Sequence, residues 1–116
     1  LGGDDTLYVF EAPIDLLSYI SLFPEGWQAH NYVACCGTSS IPVMEMLRQL
    51  PQLRQVYLCL DNDAAGHAAS ERMAALLEEH DLNAVRLVPQ QKDWNDDLKA
   101  EQENNMERSE LCQTFC

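Results

Sequence analysis

The sequence lacks several features that would point to other classes of protein. No apolar run approaches the roughly 20 residues that a membrane-crossing helix needs, and no basic-then-apolar leader opens the chain. There is no C-x-x-C pair, and the five cysteines are an odd number. Cys35, Cys36 and Cys59 stand in apolar, strand-like runs and read as small buried hydrophobes. Cys112 and Cys116 have no second pair nearby to complete a zinc site. Such cysteine usage is expected of a reducing, cytoplasmic setting. His30, His67 and His80 form no coherent ligand set and read as solvent-facing or cap residues. Basic residues are scarce: seven Lys and Arg face 19 Asp and Glu, a net charge of −12. A chain this acidic is not expected to grip a phosphate backbone unaided, because nucleic-acid affinity draws on Lys and Arg.

What is present is enough for one compact domain. The 116 residues are 47% hydrophobic, which supports a real core and argues against disorder. There is no initiator Met, and a strand pattern begins by about Thr6, so the chain reads as a domain excised from a longer protein. Strand and helix patterns alternate. The strands are "TLYVF" (6–10), "NYVACC" (31–36), "QVYLCL" (55–60) and "NAVRLV" (83–88). A helix over 12–23 carries Ile14, Leu17 and Ile20 with Leu16 and Phe23 at helical spacing, and Pro13 suits its first turn. Further helices are expected over 41–50 and 64–80, the latter with Ala65, Ala69, Met73, Leu76 and Leu77 on one face. A weaker helix follows "PQQKDWNDDL", and residues 101–116 read as an acidic polar tail or frayed helix. Alternation with short connections predicts an α/β domain over residues 1–100: a four-stranded, mostly parallel sheet with helices on both faces.

In such a sheet, ligands bind beyond the carboxyl ends of the strands. There this sequence places Glu11 after the first strand and Gly37-Thr38-Ser39-Ser40 after the second. Asp61 and Asp63 follow the third strand, and Lys92, Asp93, Asn95, Asp96 and Asp97 follow the fourth. Each acid has a plain use as a helix cap or first-turn residue. Their gathering on one edge is what needs compensation: clustered carboxylates can share protons, with raised pKa values, or bind a divalent cation. Carboxylates with no His or thiolate among them suit a hard ion, Mg²⁺ or Mn²⁺. Gly37 and the hydroxyls beside it suit a phosphate at a helix N-terminus.

The stretches "FEAPIDLLS", "CCGTSS", "LDNDAAGHAASERM" and "KDWNDDL", in that order and spacing, resemble the Toprim domain. That family is the Mg²⁺-binding catalytic module of bacterial-type primases, topoisomerases and related nucleases. The likeness covers about residues 6–100 and is nearest to primase-like members, especially those of plasmids and conjugative elements. It implies a Rossmann-like Toprim fold. It implies Glu11 as general acid/base, Asp61 and Asp63 as Mg²⁺ ligands, and Asp93, Asp15 and Asn95 completing the acidic cluster. Gly37, Thr38 and Lys92 would contact nucleotide phosphates. The sequence departs from the family pattern at Ala12 and Asn62, where Gly is usual, and at Trp94-Asn95, where primases carry Pro-Asp.

The activity so implied is nucleotidyl or phosphoryl transfer on a DNA template, in replication or mobile-element transfer. DNA cleavage of nuclease or topoisomerase type, and a non-catalytic scaffolding role, remain open. Seven of the 19 acids are Glu11, Asp15, Asp61, Asp63, Asp93, Asp96 and Asp97; with those set aside, 12 acids still face seven bases. Template and nucleotides are therefore expected to be held largely by other domains of the parent protein, with a helicase as a possible partner and no membrane.

Overall fold

The structure, a computed structural model, describes residues 2–115, and side chains through residue 107. Cys112 and Cys116 therefore lie outside the described side chains. The chain alternates β1 (Thr6–Phe10), α1 (Pro13–Leu22), β2 (Asn31–Ala34), α2 (Ile41–Gln49), β3 (Gln55–Leu58), α3 (Ala64–Glu79), β4 (Asn83–Arg86) and α4 (Trp94–Phe115). A single 3-10 turn, Trp27–Ala29, precedes β2. All the strand pairings are parallel, and the order across the sheet is β2-β1-β3-β4. The chain leaves β1 toward one side to form β2, then crosses back to the other side for β3. The switch point, where an open parallel sheet makes its crevice, thus lies between the carboxyl ends of β1 and β3.

Alternation along the strands builds the two faces. Leu7 and Val9 of β1 join Val56 and Leu58 of β3 in a core closed by Val43 of α2 and by Ala69, Met73 and Leu77 of α3. Tyr8 and Phe10 point to the opposite face, where Leu16, Tyr19 and Leu22 of α1 and Trp94 of α4 cover them. There Tyr8 pairs in register with Tyr32 on one side and Tyr57 on the other, and their rings stack across the strands.

The structure corrects several expectations. Ile14 and Leu17 of α1 are 54% and 60% exposed, whereas Asp15 and Ser18 are buried. In α3, Ala65 is exposed and the inward stripe runs through Gly66, Ala69, Ser70, Met73 and Leu77. β2 stops at Ala34, so Cys36 lies outside the strand, exposed and with φ +54°. Cys35 and Cys59 are buried as expected. β3 stops at Leu58, but Cys59 and Leu60 remain buried, and the Cys59 N–H still donates to the Val9 carbonyl. His30 is half-buried rather than solvent-facing: it pairs with Asp4 and packs on the Tyr8 ring. The helix α4 runs on from Trp94 to Phe115, through the stretch read as an acidic tail or frayed helix.

Trp94 fixes the start of α4. Its indole N–H donates to the buried Cys59 carbonyl at 3.0 Å, and its ring meets Tyr19 edge-on at 5.0 Å. Trp94→Ala removes a buried aromatic and strands a buried carbonyl. We expect it to cost about 3–5 kcal/mol of stability, read as a lowered guanidinium midpoint.

Candidate metal centre

Four connections bring their residues to the crevice. Glu11 follows the last residue of β1. Its Oε1 accepts the Asp61 N–H at 3.2 Å, and its carbonyl accepts the Gly37 N–H at 3.0 Å. Glu11 therefore ties the carboxyl ends of β1, β2 and β3 together. Asp15 sits in the first turn of α1, 3% exposed, and its Oδ1 accepts the Asn95 N–H at 3.2 Å. Asp93 caps α4: its Oδ1 accepts the Asp96 N–H at 2.8 Å. Asp61 has no such use. Its Oδ1 is buried and has no hydrogen-bond partner.

Carboxylate oxygens of Asp15, Asp61 and Asp93 lie within 4.8 Å of one another. The electrostatic consequence is large. Burial, followed by the charges of Glu11, Asp15, Asp93 and Asp63, pushes the Asp61 carboxyl up to about 7. Burial also raises Asp15, against the opposing pull of the Asn95 N–H, and the neighbouring acids add to the rise. Among the described residues the ion pairs are His30–Asp4 and Arg48–Glu45, both elsewhere. No cationic side chain neutralises the trio by direct pairing. An all-oxygen, anionic donor set with one orphaned buried oxygen fits a hard divalent cation, Mg²⁺ or Mn²⁺.

The other candidates fall around this trio. Asp63 caps α3, its Oδ1 accepting the Gly66 N–H at 2.7 Å, and is not among the three converging acids. Asn95 orients Asp15 through its N–H, while its side-chain oxygen accepts from the Ser18 hydroxyl. Gly37 has φ +140°, a backbone conformation that a side chain would strain, and this lets its N–H reach Glu11. Thr38 lies in the same loop, and its carbonyl accepts from the Arg72 guanidinium at 2.9 Å. Lys92 is exposed, and its carbonyl accepts the Asn62 N–H at 2.7 Å.

Sequence reasoning passed over Arg86. It stands at the end of β4 and donates to the carbonyls of Leu60 and Asp61, on the main chain that carries the Asp61 carboxylate. Burial works against its charge, and Cys59, Glu11, Asp61 and Asp63 favour it. The available clue was a lone arginine inside the otherwise apolar "NAVRLV", a charge that demands partners when half-buried.

A family model described as Toprim-like matches residues 8–98. The uncharacterized protein MG010 homolog of Mycoplasma pneumoniae is 31% identical over 94 residues, which are 79% of this chain and 42% of that protein. The chain thus spans less than half the length of that relative. The primase fragment of the bacteriophage T7 primase-helicase protein has the same fold, with a TM-score of 0.65 at 24% identity over 92% of this chain and 44% of its own. So does a chain from the bacteriophage T7 lagging-strand DNA polymerase interacting with primase domains of two gp4 subunits bound to an RNA/DNA hybrid and dTTP. There the TM-score is 0.64 at 23% identity, covering 100% of this chain and 56% of the other. With a family match over most of its length and a parallel sheet whose carboxyl edge gathers the acids, the chain belongs to the Toprim-like family.

Proposed function

We propose that this chain is the Mg²⁺-dependent catalytic module of a primase-like protein, transferring nucleotides to a growing primer on a DNA template. The observation that carries this reading is the convergence of Asp15, Asp61 and Asp93 beside Glu11, with one buried Asp61 oxygen left unpaired. The primase names of the two phage structures favour synthesis over cleavage, as fold-level support.

Asp61, Asp93 and Asp15 would hold the ion, and Asp63 and Asn95 would brace the cluster from α3 and α4. Bound Mg²⁺ supplies positive charge to the transferring phosphate and helps a hydroxyl to ionise. Glu11 uses one carboxylate oxygen for the Asp61 N–H, leaving the other to take the proton of an attacking 3′-hydroxyl. The loop of Gly37 and Thr38 leads into the N-terminus of α2, where backbone N–H groups and the helix dipole suit phosphates. Lys92, exposed in the loop before α4, would add a positive charge at the same edge. The net charge of −12 leaves template binding to other domains of a larger protein, with a helicase as a fitting partner.

The test is template-directed synthesis by a protein carrying this chain with its flanking domains, given single-stranded DNA, nucleoside triphosphates and Mg²⁺. Glu11→Gln is expected to lower primer synthesis at least about 100-fold while the protein stays folded and still binds Mn²⁺. Full activity of this variant would remove Glu11 from the role. Cleavage of the labelled template without primer synthesis would replace the synthetic reading with a nuclease.

A further inference from the structure

Arg86 makes no ion pair with the carboxylates it stands behind. Its guanidinium faces carbonyls: Nη1 donates to Leu60 and, at 3.4 and 3.5 Å, to Leu58 and Leu87, Nη2 donates to Asp61 at 2.8 Å, and Nε is buried without a partner. Nη2 also meets His67 Nδ1 at 3.4 Å. A guanidinium can only donate, so Nδ1 is the acceptor and the His67 proton sits on Nε2. That proton is then given to Asn62 Oδ1, at 3.2 Å. With its oxygen so engaged, the Asn62 amide donates from Nδ2 to the Pro89 carbonyl at 3.1 Å, while its backbone N–H donates to the Lys92 carbonyl at 2.7 Å. The donor directions agree at every step. The line runs from β4 by way of His67 on α3 to the bend after β3, and on to the loop between β4 and α4, which carries Asp93.

We propose that Arg86 is a positioning residue for the metal centre, and that with His67 and Asn62 it braces the two loops so that Asp61 and Asp93 converge. This rests on the metal reading above. The brace gives Asn62 a purpose: a glycine at this position would leave the Asp61 bend without its side-chain tie to Pro89. It also accounts for a half-buried arginine beside an acidic cluster that it does not neutralise. Groups that orient metal ligands from behind typically change affinity by roughly 10–100-fold when lost.

The sign of the effect separates bracing from simple charge. Removing a cation from beside a cation site should tighten metal binding by Coulomb's law; removing a brace should weaken it. The experiment is Mn²⁺ titration of the chain followed by electron paramagnetic resonance, with circular dichroism and thermal melting of the metal-free proteins. Arg86→Met is expected to bind Mn²⁺ about tenfold or more weakly than wild type. Arg86→Lys keeps the charge but cannot fork across the four carbonyls that the guanidinium meets, and should also bind more weakly. Asn62→Ala cuts the brace without touching charge and should lose about tenfold with little change in melting. Folded Arg86→Met that binds Mn²⁺ as tightly as wild type, or more tightly, overturns the proposal. If Arg86→Met does not fold, Asn62→Ala decides: unchanged affinity overturns the brace, and weakened affinity upholds it. Absence of Mn²⁺ binding in the unaltered chain removes the metal reading and the brace together, an outcome distinct from wild-type binding that the variants leave untouched.

Discussion

Asp61→Asn is expected to weaken Mn²⁺ binding severely and, without metal, to make the protein more stable than wild type at pH 8. Both effects come from one carboxylate. Asp61 offers a buried, unpaired oxygen to the trio with Asp15 and Asp93, so neutralising it removes a central ligand and a unit of charge. The affinity loss should be about 100-fold or more, beyond what loss of an outer-shell group causes. The stability gain follows from its titration. In the folded chain the Asp61 carboxyl is raised to about 7, while in the unfolded chain it has its ordinary value near 4. Between those values the folded state binds more protons than the unfolded one, so stability falls as pH rises through that window. The raised Asp15 adds to the slope in the same direction. Solvent screens the half-open site, which reduces the Asp61 contribution to about 1–2 kcal/mol, a few degrees in melting temperature for a domain of this size. Asparagine cannot ionise and escapes that loss. Calorimetry from pH 4 to pH 8 should show wild type and variant drawing steadily apart as pH rises through that window. Added Mn²⁺ should reverse their order by stabilising wild type alone. Wild-type Mn²⁺ affinity in Asp61→Asn, or a flat pH profile for metal-free wild type, would contradict the assignment.

The fold was legible because its strands are short apolar runs separated by helix-period stretches with clear turn residues, a pattern that few architectures satisfy. The helix faces were less so. In α1, Leu16, Ile20 and Leu22 share the helix with Ile14 and Leu17, so apolar spacing alone cannot choose a face. The choice is made by tertiary structure: Asp15 turns inward toward Asp61 and Asp93, and Ser18 turns inward to Asn95, which rotates Ile14 and Leu17 outward. The carboxyl edge was readable from strand order because parallel strands deliver their ends together. Which acids converge was not. Asp63 and Asp61 are two residues apart, yet one caps α3 and the other is left free, a difference set by the bend at Asn62. That bend depends on Arg86, about 25 residues away, through contacts that no local pattern encodes.

Gly66→Ala should destabilise the protein and weaken the metal site, against the direction of helix propensity. Alanine is the better helix former by about 1 kcal/mol, and position 66 lies in the first turn of α3. Packing decides the sign. A Cβ there would stand 2.0 Å from the Asp61 carbonyl oxygen, 2.9 Å from its carbon and 3.1 Å from Asp63 Oδ1. The first two are backbone atoms, which cannot rotate aside as a side chain would. The Asp61 carbonyl is further held by Arg86, and the Asp61 N–H by Glu11, so the bend has little freedom to retreat. The helix start must lift instead, which breaks the Gly66 N–H bond to Asp63 and pulls Met73 and Leu77 from the core they share with Val56 and Leu58. We expect a loss of about 3 kcal/mol or more, together with weaker Mn²⁺ binding because Asp61 moves with its bend. Gly3→Ala, where an added Cβ meets nothing within 4 Å, is the control and should stay within about 0.5 kcal/mol of wild type. Denaturant melts of both variants, with Mn²⁺ titrations alongside, read the two effects separately. A Gly66→Ala protein as stable as the control would mean that α3 can start further from the sheet. The close approach would then not be what fixes Asp61, and the placing of the carboxylate would fall to Arg86 and Glu11 alone.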